Sequence, residues 1–214
     1  MKKAFTLAEV LITLGIIGVV AALTLPSLIA NQKKQALRAG LKKNYSVISQ
    51  ALEKMQQDLG EMIAPDTYSG KTFKPLYQKY FNVAKDCGWI NCIPNTNCDY
   101  KAYINNTKTG CTFFDDGQFI LQDGSLIAIE NPTADAGWGF RVWISVDVNG
   151  YQKPPNTWGQ DMFTFEIMPD GRLLPMGAEG TYYSETDYCS TTSTDKYNGI
   201  ACTNRALYDE SFWK

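Results

Sequence analysis

The chain has 214 residues, with 20 Lys plus Arg against 22 Asp plus Glu and a net charge of −2. That balance leaves no basic footprint for a nucleic-acid partner. It contains no histidine, which removes the commonest general base, the commonest zinc ligand and every Ser-His or Cys-His nucleophile pair, so an enzyme is not expected.

Residues 5–26 read FTLAEVLITLGIIGVVAALTLP and are apolar except for Glu9 and three threonines. A helix over 5–25 would be about 31 Å long, against a bilayer hydrocarbon core of about 30 Å. A charged side chain in hydrocarbon costs roughly 2.5–3.5 kcal/mol. The stretch holds no cation, so the partner of Glu9 is expected from elsewhere. A cleaved secretory signal has a shorter apolar run, roughly 7–15 residues, ending in a small-residue site, and it leaves Glu9 unexplained.

The basic start MKKA, then Phe5, then the apolar run with Glu9 resemble the type IV pilin superfamily, which includes the pseudopilins of type II secretion. The resemblance covers the N-terminal segment alone. It implies a leader at 1–4, cut by a prepilin peptidase between Ala4 and Phe5 with methylation of the new Phe5 amine. The family usually has glycine before the cut, where this chain has Ala4. It further implies a transmembrane and assembly helix at 5–25, a kink at Pro26, an amphipathic continuation at 26–60 and an extracytoplasmic disulfide-tied domain at 61–214. Glu9 would pair with the Phe5 amine of a neighbouring subunit, each charge compensating the other.

The function so implied is a structural filament subunit, a secretion pseudopilin or pilin-like protein. The alternative is a minor tip pilin that binds through residues 178–214. The implied partners are homologous pilin or pseudopilin subunits, the prepilin peptidase and the inner-membrane assembly platform. The implied location is a single pass in the inner membrane with the domain periplasmic, then a filament or the cell surface. A positive-inside count over Lys33, Lys34, Arg38, Lys42 and Lys43 points the other way, but in the family a dedicated peptidase reads the leader.

Past the span, Leu37, Leu41, Tyr45, Ile48, Leu52, Met55 and Leu59 recur at intervals of three and four. That is one apolar helical stripe, with Gly60 as its stop. Lys34, Arg38 and Gln56 fall on the opposite face. PLYQKYFN, near residue 78, predicts a short helix inside an otherwise irregular 61–110 segment.

Asp-Gly pairs at 116–117 and 123–124 and the stretch around Asp170 and Gly171 are hairpin signals. FRVWISVDV, residues 140–148, alternates Arg141, Trp143, Ser145 and Asp147 against apolar neighbours and predicts a strand. Four or five antiparallel strands with a long helix make an α+β fold, pilin-like under the resemblance.

Six cysteines follow the apolar segment and predict disulfides in an oxidising compartment. The spacings lack the paired CxxC of a zinc site. Cys189 is expected to pair with Cys202, which has no other cysteine near it in sequence. The pairing of Cys87, Cys92, Cys98 and Cys111 stays open.

The loop from Asp147 to Asp161 gathers Asp147, Asn149, Asn156 and Asp161 around glycines. Oxygen ligands of this kind suit calcium, the one cofactor indicated, and major pseudopilins carry calcium in a loop of this region. The same side chains also suit turns in which Asp and Asn cap the backbone. Asp115 and Asp116 are adjacent carboxylates, and Asp-Asp-Gly reads first as a turn.

Overall fold

The computed structural model describes residues 6–93, 98–104 and 107–213, without the side chain of Cys111. The chain divides into two compact units, residues 1–36 and 37–214. Helix α1, Leu7–Leu59, contributes residues to both.

In the first unit α1 is long and apolar enough to cross a membrane. Leu7, Leu11, Ile16, Val19 and Leu23 are each more than half exposed among the described residues. The hydroxyls in this run bond back to their own helix, Thr13 to the Val10 carbonyl at 2.9 Å and Thr24 to the Val20 carbonyl at 2.9 Å. Such back-bonding leaves few polar atoms to solvate. The helix continues through Pro26, which supplies no N–H of its own.

In the second unit Leu41, Ile48, Leu52 and Met55 of the predicted stripe are buried and Tyr45 is half-buried, while Leu59 is 44% exposed. Gly60 ends the helix at φ +71, with its N–H on the Gln56 carbonyl at 2.9 Å. That is the left-handed C-terminal cap expected of a glycine. Gln56 turns back to accept the Ile63 N–H at 3.1 Å. Arg38 pairs with Glu210 at 2.9 Å.

The sheet has six strands: β1 (Val83–Asp86), β2 (Gln118–Leu121), β3 (Leu126–Glu130), β4 (Trp143–Asp147), β5 (Met162–Ile167) and β6 (Leu173–Pro175). Each is antiparallel to the next, in sequence order. The α+β expectation holds, with more strands than the four or five expected. The additional strand is β1, whose residues beyond Val83 are exposed. An exposed edge strand carries no apolar alternation to read.

The turns at Asp123-Gly124 and at Asp170-Gly171 join hairpins as expected, β2 to β3 and β5 to β6. Asp116-Gly117 does not. A 3₁₀ turn, Cys111–Phe114, precedes it, and the pair extends the β2–β3 ladder through Asp116 N–H to Ile129 O and Ile129 N–H to Gly117 O. Gly117 is needed there because the Lys74 side chain lies against its α-carbon.

Both faces of the central strands are buried. One carries Ile127, Ile144, Val146, Phe163 and Phe165 against the Leu41–Met55 face of α1, with Tyr45 stacked on Phe165 at 5.3 Å. The other carries Trp143 under an aromatic layer of Tyr100, Phe113, Phe114, Trp158 and Tyr183. Its polar positions bond each other, Ser145 to Thr164 at 2.9 Å across registered strands.

Helix α2, Phe73–Tyr77, begins two residues before the predicted PLYQKYFN helix and overlaps its start, and a 3₁₀ turn, Gln78–Tyr80, continues through it. Its Lys74 is buried, and its ammonium reaches Asp86 at the end of β1 at 2.5 Å. Asp86 also accepts from Gln78 at 3.0 Å and from the Gly88 N–H at 2.8 Å. Lys74 first, then these donors, hold the Asp86 carboxyl down at about 2, below the usual aspartate range.

A folded-state value below the unfolded one means stability present above about pH 4 and lost as pH falls toward 2. Asp86→Asn is therefore expected to lose about 1 kcal/mol at neutral pH, discounted for the solvent around the half-exposed carboxylate. The gap from wild type should close below about pH 3 in urea unfolding monitored by circular dichroism.

Candidate functional site

Ala4 and Phe5 lie outside the described residues. Those residues begin at Thr6, which supplies Glu9 with a partner. Glu9 Oε2 accepts the Thr6 N–H at 2.8 Å and the Thr6 hydroxyl at 2.9 Å, and the Glu9 N–H donates to Thr6 Oγ1 at 3.3 Å. This is a reciprocal capping box, Thr-x-x-Glu, on the first free N–H groups of α1. The motif stands in the sequence at residues 6–9. Within one chain, then, the carboxylate is held by its own helix end, and any pairing with another subunit is additional to this cap. A carboxylate at this end also faces the positive pole of the helix dipole.

The four residues of the Asp147–Asp161 loop come together. Asp147 closes β4 and is fully buried. Its Oδ1 accepts the N–H groups of Asn149 at 3.2 Å and Gly150 at 2.8 Å, and its Oδ2 accepts the Tyr100 hydroxyl at 2.7 Å. Asp161, also fully buried, accepts the N–H groups of Asn156 at 2.8 Å and Thr157 at 2.7 Å. The turn-capping expectation is thus realised. Gly150 holds φ +86 against the Gly124 carbonyl, where a Cβ would collide.

Two features go beyond capping. Burial first, then the charge of Asp161, push the Asp147 carboxyl up to about 7, and burial pushes Asp161 up to about 6 against its backbone donors. The side-chain oxygens of Asn149 and Asn156 are buried without a hydrogen-bond partner. Two buried carboxylates and two orphaned amide oxygens are ligand types that a hard cation takes, and each carboxylate oxygen here also accepts an N–H or O–H donor.

The tail folds onto the aromatic layer through α3 (Glu185–Tyr188) and α4 (Thr203–Tyr208). Tyr183 is buried and packs on Tyr188 at 4.7 Å and Trp143 at 5.7 Å. Tyr182, 40% exposed, carries the Arg141 guanidinium over its ring at 4.8 Å. The expected Cys189–Cys202 bond is present. Cys87 pairs with Cys92, and Cys98 is also disulfide-bonded. The Cys111 side chain lies outside the described residues. The Cys87–Cys92 loop docks on buried Gln118, which accepts the Cys92 and Ile93 N–H groups at 3.0 and 2.7 Å.

These residues define an α+β protein, an antiparallel meander packed on one long helix whose N-terminal part is a membrane-span candidate. The chain belongs to the family described as "Family of unknown function (DUF6613)", whose model matches residues 27–174. The match begins directly after the apolar run and takes in β1 to β5 and the Asp147–Asp161 loop. No curated protein and no solved structure matches the chain.

Proposed function

We propose that this chain is a subunit of a type IV filament, a secretion pseudopilin or minor pilin, assembled through the N-terminal part of α1. The observation that carries the reading is the exposed apolar surface from Leu7 to Ile29, with one carboxylate, Glu9, at its N-terminal end. Burying an exposed large aliphatic side chain is worth roughly 1.5–3 kcal/mol, so this surface favours lipid first and other copies of itself second.

A cut between Ala4 and Phe5 places an ammonium beside Thr6, at the positive pole of its own helix dipole. That pole disfavours a cation, so the amine draws a carboxylate from a neighbour, and the neighbour's Glu9 is the group at matching depth. The chain's work is mechanical, and no reaction is assigned to it. Asp147, Asn149, Asn156 and Asp161 would hold a calcium ion, whose charge would offset the two buried carboxylates and fix the loop beside β4 and β5.

Glu9→Leu is expected to leave membrane insertion intact. Filament incorporation, read by cross-linking in cells, is expected to fall about a hundredfold or more, as for breaking a buried pair worth ~3 kcal/mol. Assembly at the wild-type level would sink the reading. Calcium is expected to raise the unfolding temperature of the detergent-solubilised chain, and Asp147→Asn with Asp161→Asn is expected to shrink that rise. Equal temperatures with and without calcium contradict the loop assignment.

A further inference from the structure

A second oxygen-lined cluster lies at the other end of β3. Register places Asp147 opposite Leu126 at the start of β3, and Trp143 opposite Glu130 at its end. Beside Glu130, the segment leading into β2 brings Asp115 and Asp116. One carboxylate oxygen from each of Asp115, Asp116 and Glu130 lies within 4.8 Å of the others. All three line an open pocket of about 300 Å³ that Gly70 and Lys71 also line.

Glu130 is the informative member. It is 5% exposed, and its Oε2 is buried with no hydrogen-bond partner. Glu166, a buried glutamate on β5, shows what a satisfied carboxylate looks like in the same sheet. Its Oε1 accepts from Arg141 at 2.7 Å and its Oε2 accepts the Tyr182 N–H at 2.7 Å. Glu130 has no such pairing for Oε2. Burial first, then the charges of Asp116 and Asp115, push its carboxyl up to about 9, with Lys71 acting in the other direction. A buried carboxylate without a partner is a costly arrangement that a bound cation relieves.

Asp116 is anchored. Its Oδ2 accepts the Asn131 N–H at 2.8 Å, which fixes its orientation. Its Oδ1 faces the Lys71 ammonium at 3.6 Å, a long ion pair on a side chain that is 44% exposed. Lys71 is thus a cation at the mouth of the pocket, held by this long ion pair and by the Trp89 ring, whose centre is 5.8 Å from its ammonium.

We propose that Asp115, Asp116 and Glu130 form a divalent-cation site, distinct from the Asp147–Asp161 loop, that takes calcium in exchange for the Lys71 ammonium. Three carboxylate oxygens gathered this closely are hard-cation ligands, and calcium takes such oxygens with loose, adaptable geometry. Bound calcium would tie the Gly70–Lys71 turn and the Asp115–Asp116 segment to the end of β3.

The test is calcium titration calorimetry on the full-length chain in detergent, with Glu130→Gln as the main variant. Glu130→Gln is expected to remove one bound calcium per chain, however many the Asp147–Asp161 loop contributes. The Asp147→Asn and Asp161→Asn double variant is expected to keep that one. Lys71→Ala is expected to tighten it several-fold, a gain that a damaged fold does not give. Asp115→Asn, at a half-buried position, serves as a milder second variant and is expected to weaken the site about tenfold or more. The proposal is overturned if the loop double variant binds no calcium at millimolar concentration. Unchanged stoichiometry and affinity in both Glu130→Gln and Asp115→Asn overturn it equally.

Discussion

Trp143 and Ile144 leave β4 in opposite directions, and both are fully buried. A sheet buried on both faces needs two covers, and the rest of the domain is arranged to provide them. On the Ile144 side the cover is one helix face, Leu41 to Met55, aligned by the stripe in its sequence. On the Trp143 side the cover is made of loops and short turns that bring Tyr100, Phe113, Trp158 and Tyr183 over the strands, with ring pairs such as Phe113–Trp143 stacked at 5.0 Å. Aromatic rings fill that irregular space with large area and defined geometry. The Cys189–Cys202 bond holds the covering tail to itself, closing a segment too short in regular structure to order alone.

Two-sided burial also sets where polar groups can stand. Most polar side chains on the Trp143 face find a partner inside the protein, the indole N–H groups of Trp143 and Trp158 excepted. Ser145 and Thr164 bond each other, Thr203 Oγ1 accepts the Thr164 N–H, and Glu166 takes Arg141 and Tyr182. At the two ends of the sheet this supply of partners runs short. One end has Asp147 and Asp161 with the orphaned oxygens of Asn149 and Asn156, and the other has Glu130 with Asp115 and Asp116. Both candidate cation sites thus follow from the same constraint. They stand where strands stop, with the amide oxygens of Asn149 and Asn156 at one end and Glu130 Oε2 at the other left without a donor.

What the sequence disclosed was local. The four-and-three spacing from Leu41 to Met55, Gly60 as a helix stop, the Asp123-Gly124 hairpin and the centre of the 140–148 strand, realised as Trp143–Asp147, are each read within a window of one element. The Cys189–Cys202 pair was legible because no other cysteine competed. Strand β1 was hidden because Val-Ala-Lys-Asp sits exposed on an edge. Asp116-Gly117 misled because the same dipeptide serves a turn or a close backbone approach, and only the packing of Lys74 decides. The Thr6–Glu9 capping box was visible in four residues but overshadowed by the cost of a carboxylate in hydrocarbon. The Glu130 cluster was not visible at all, since Glu130 stands far along the chain from Asp115 and Asp116 and only the β2–β3 ladder joins them.

The apolar surface of residues 7–29 stays exposed along α1. The filament account says that this surface is matched by lipid and by other copies, and that a new amine at Phe5 gives Glu9 a second, intermolecular role beside its own cap. Mass spectrometry of the mature N-terminus, from cells with and without the prepilin peptidase, tests that claim most directly. The account predicts a chain that begins at methylated Phe5 only where the peptidase is present. A chain that keeps Met1 in both, or one cut beyond residue 25, would contradict it, because Glu9 would then have no terminal amine to meet.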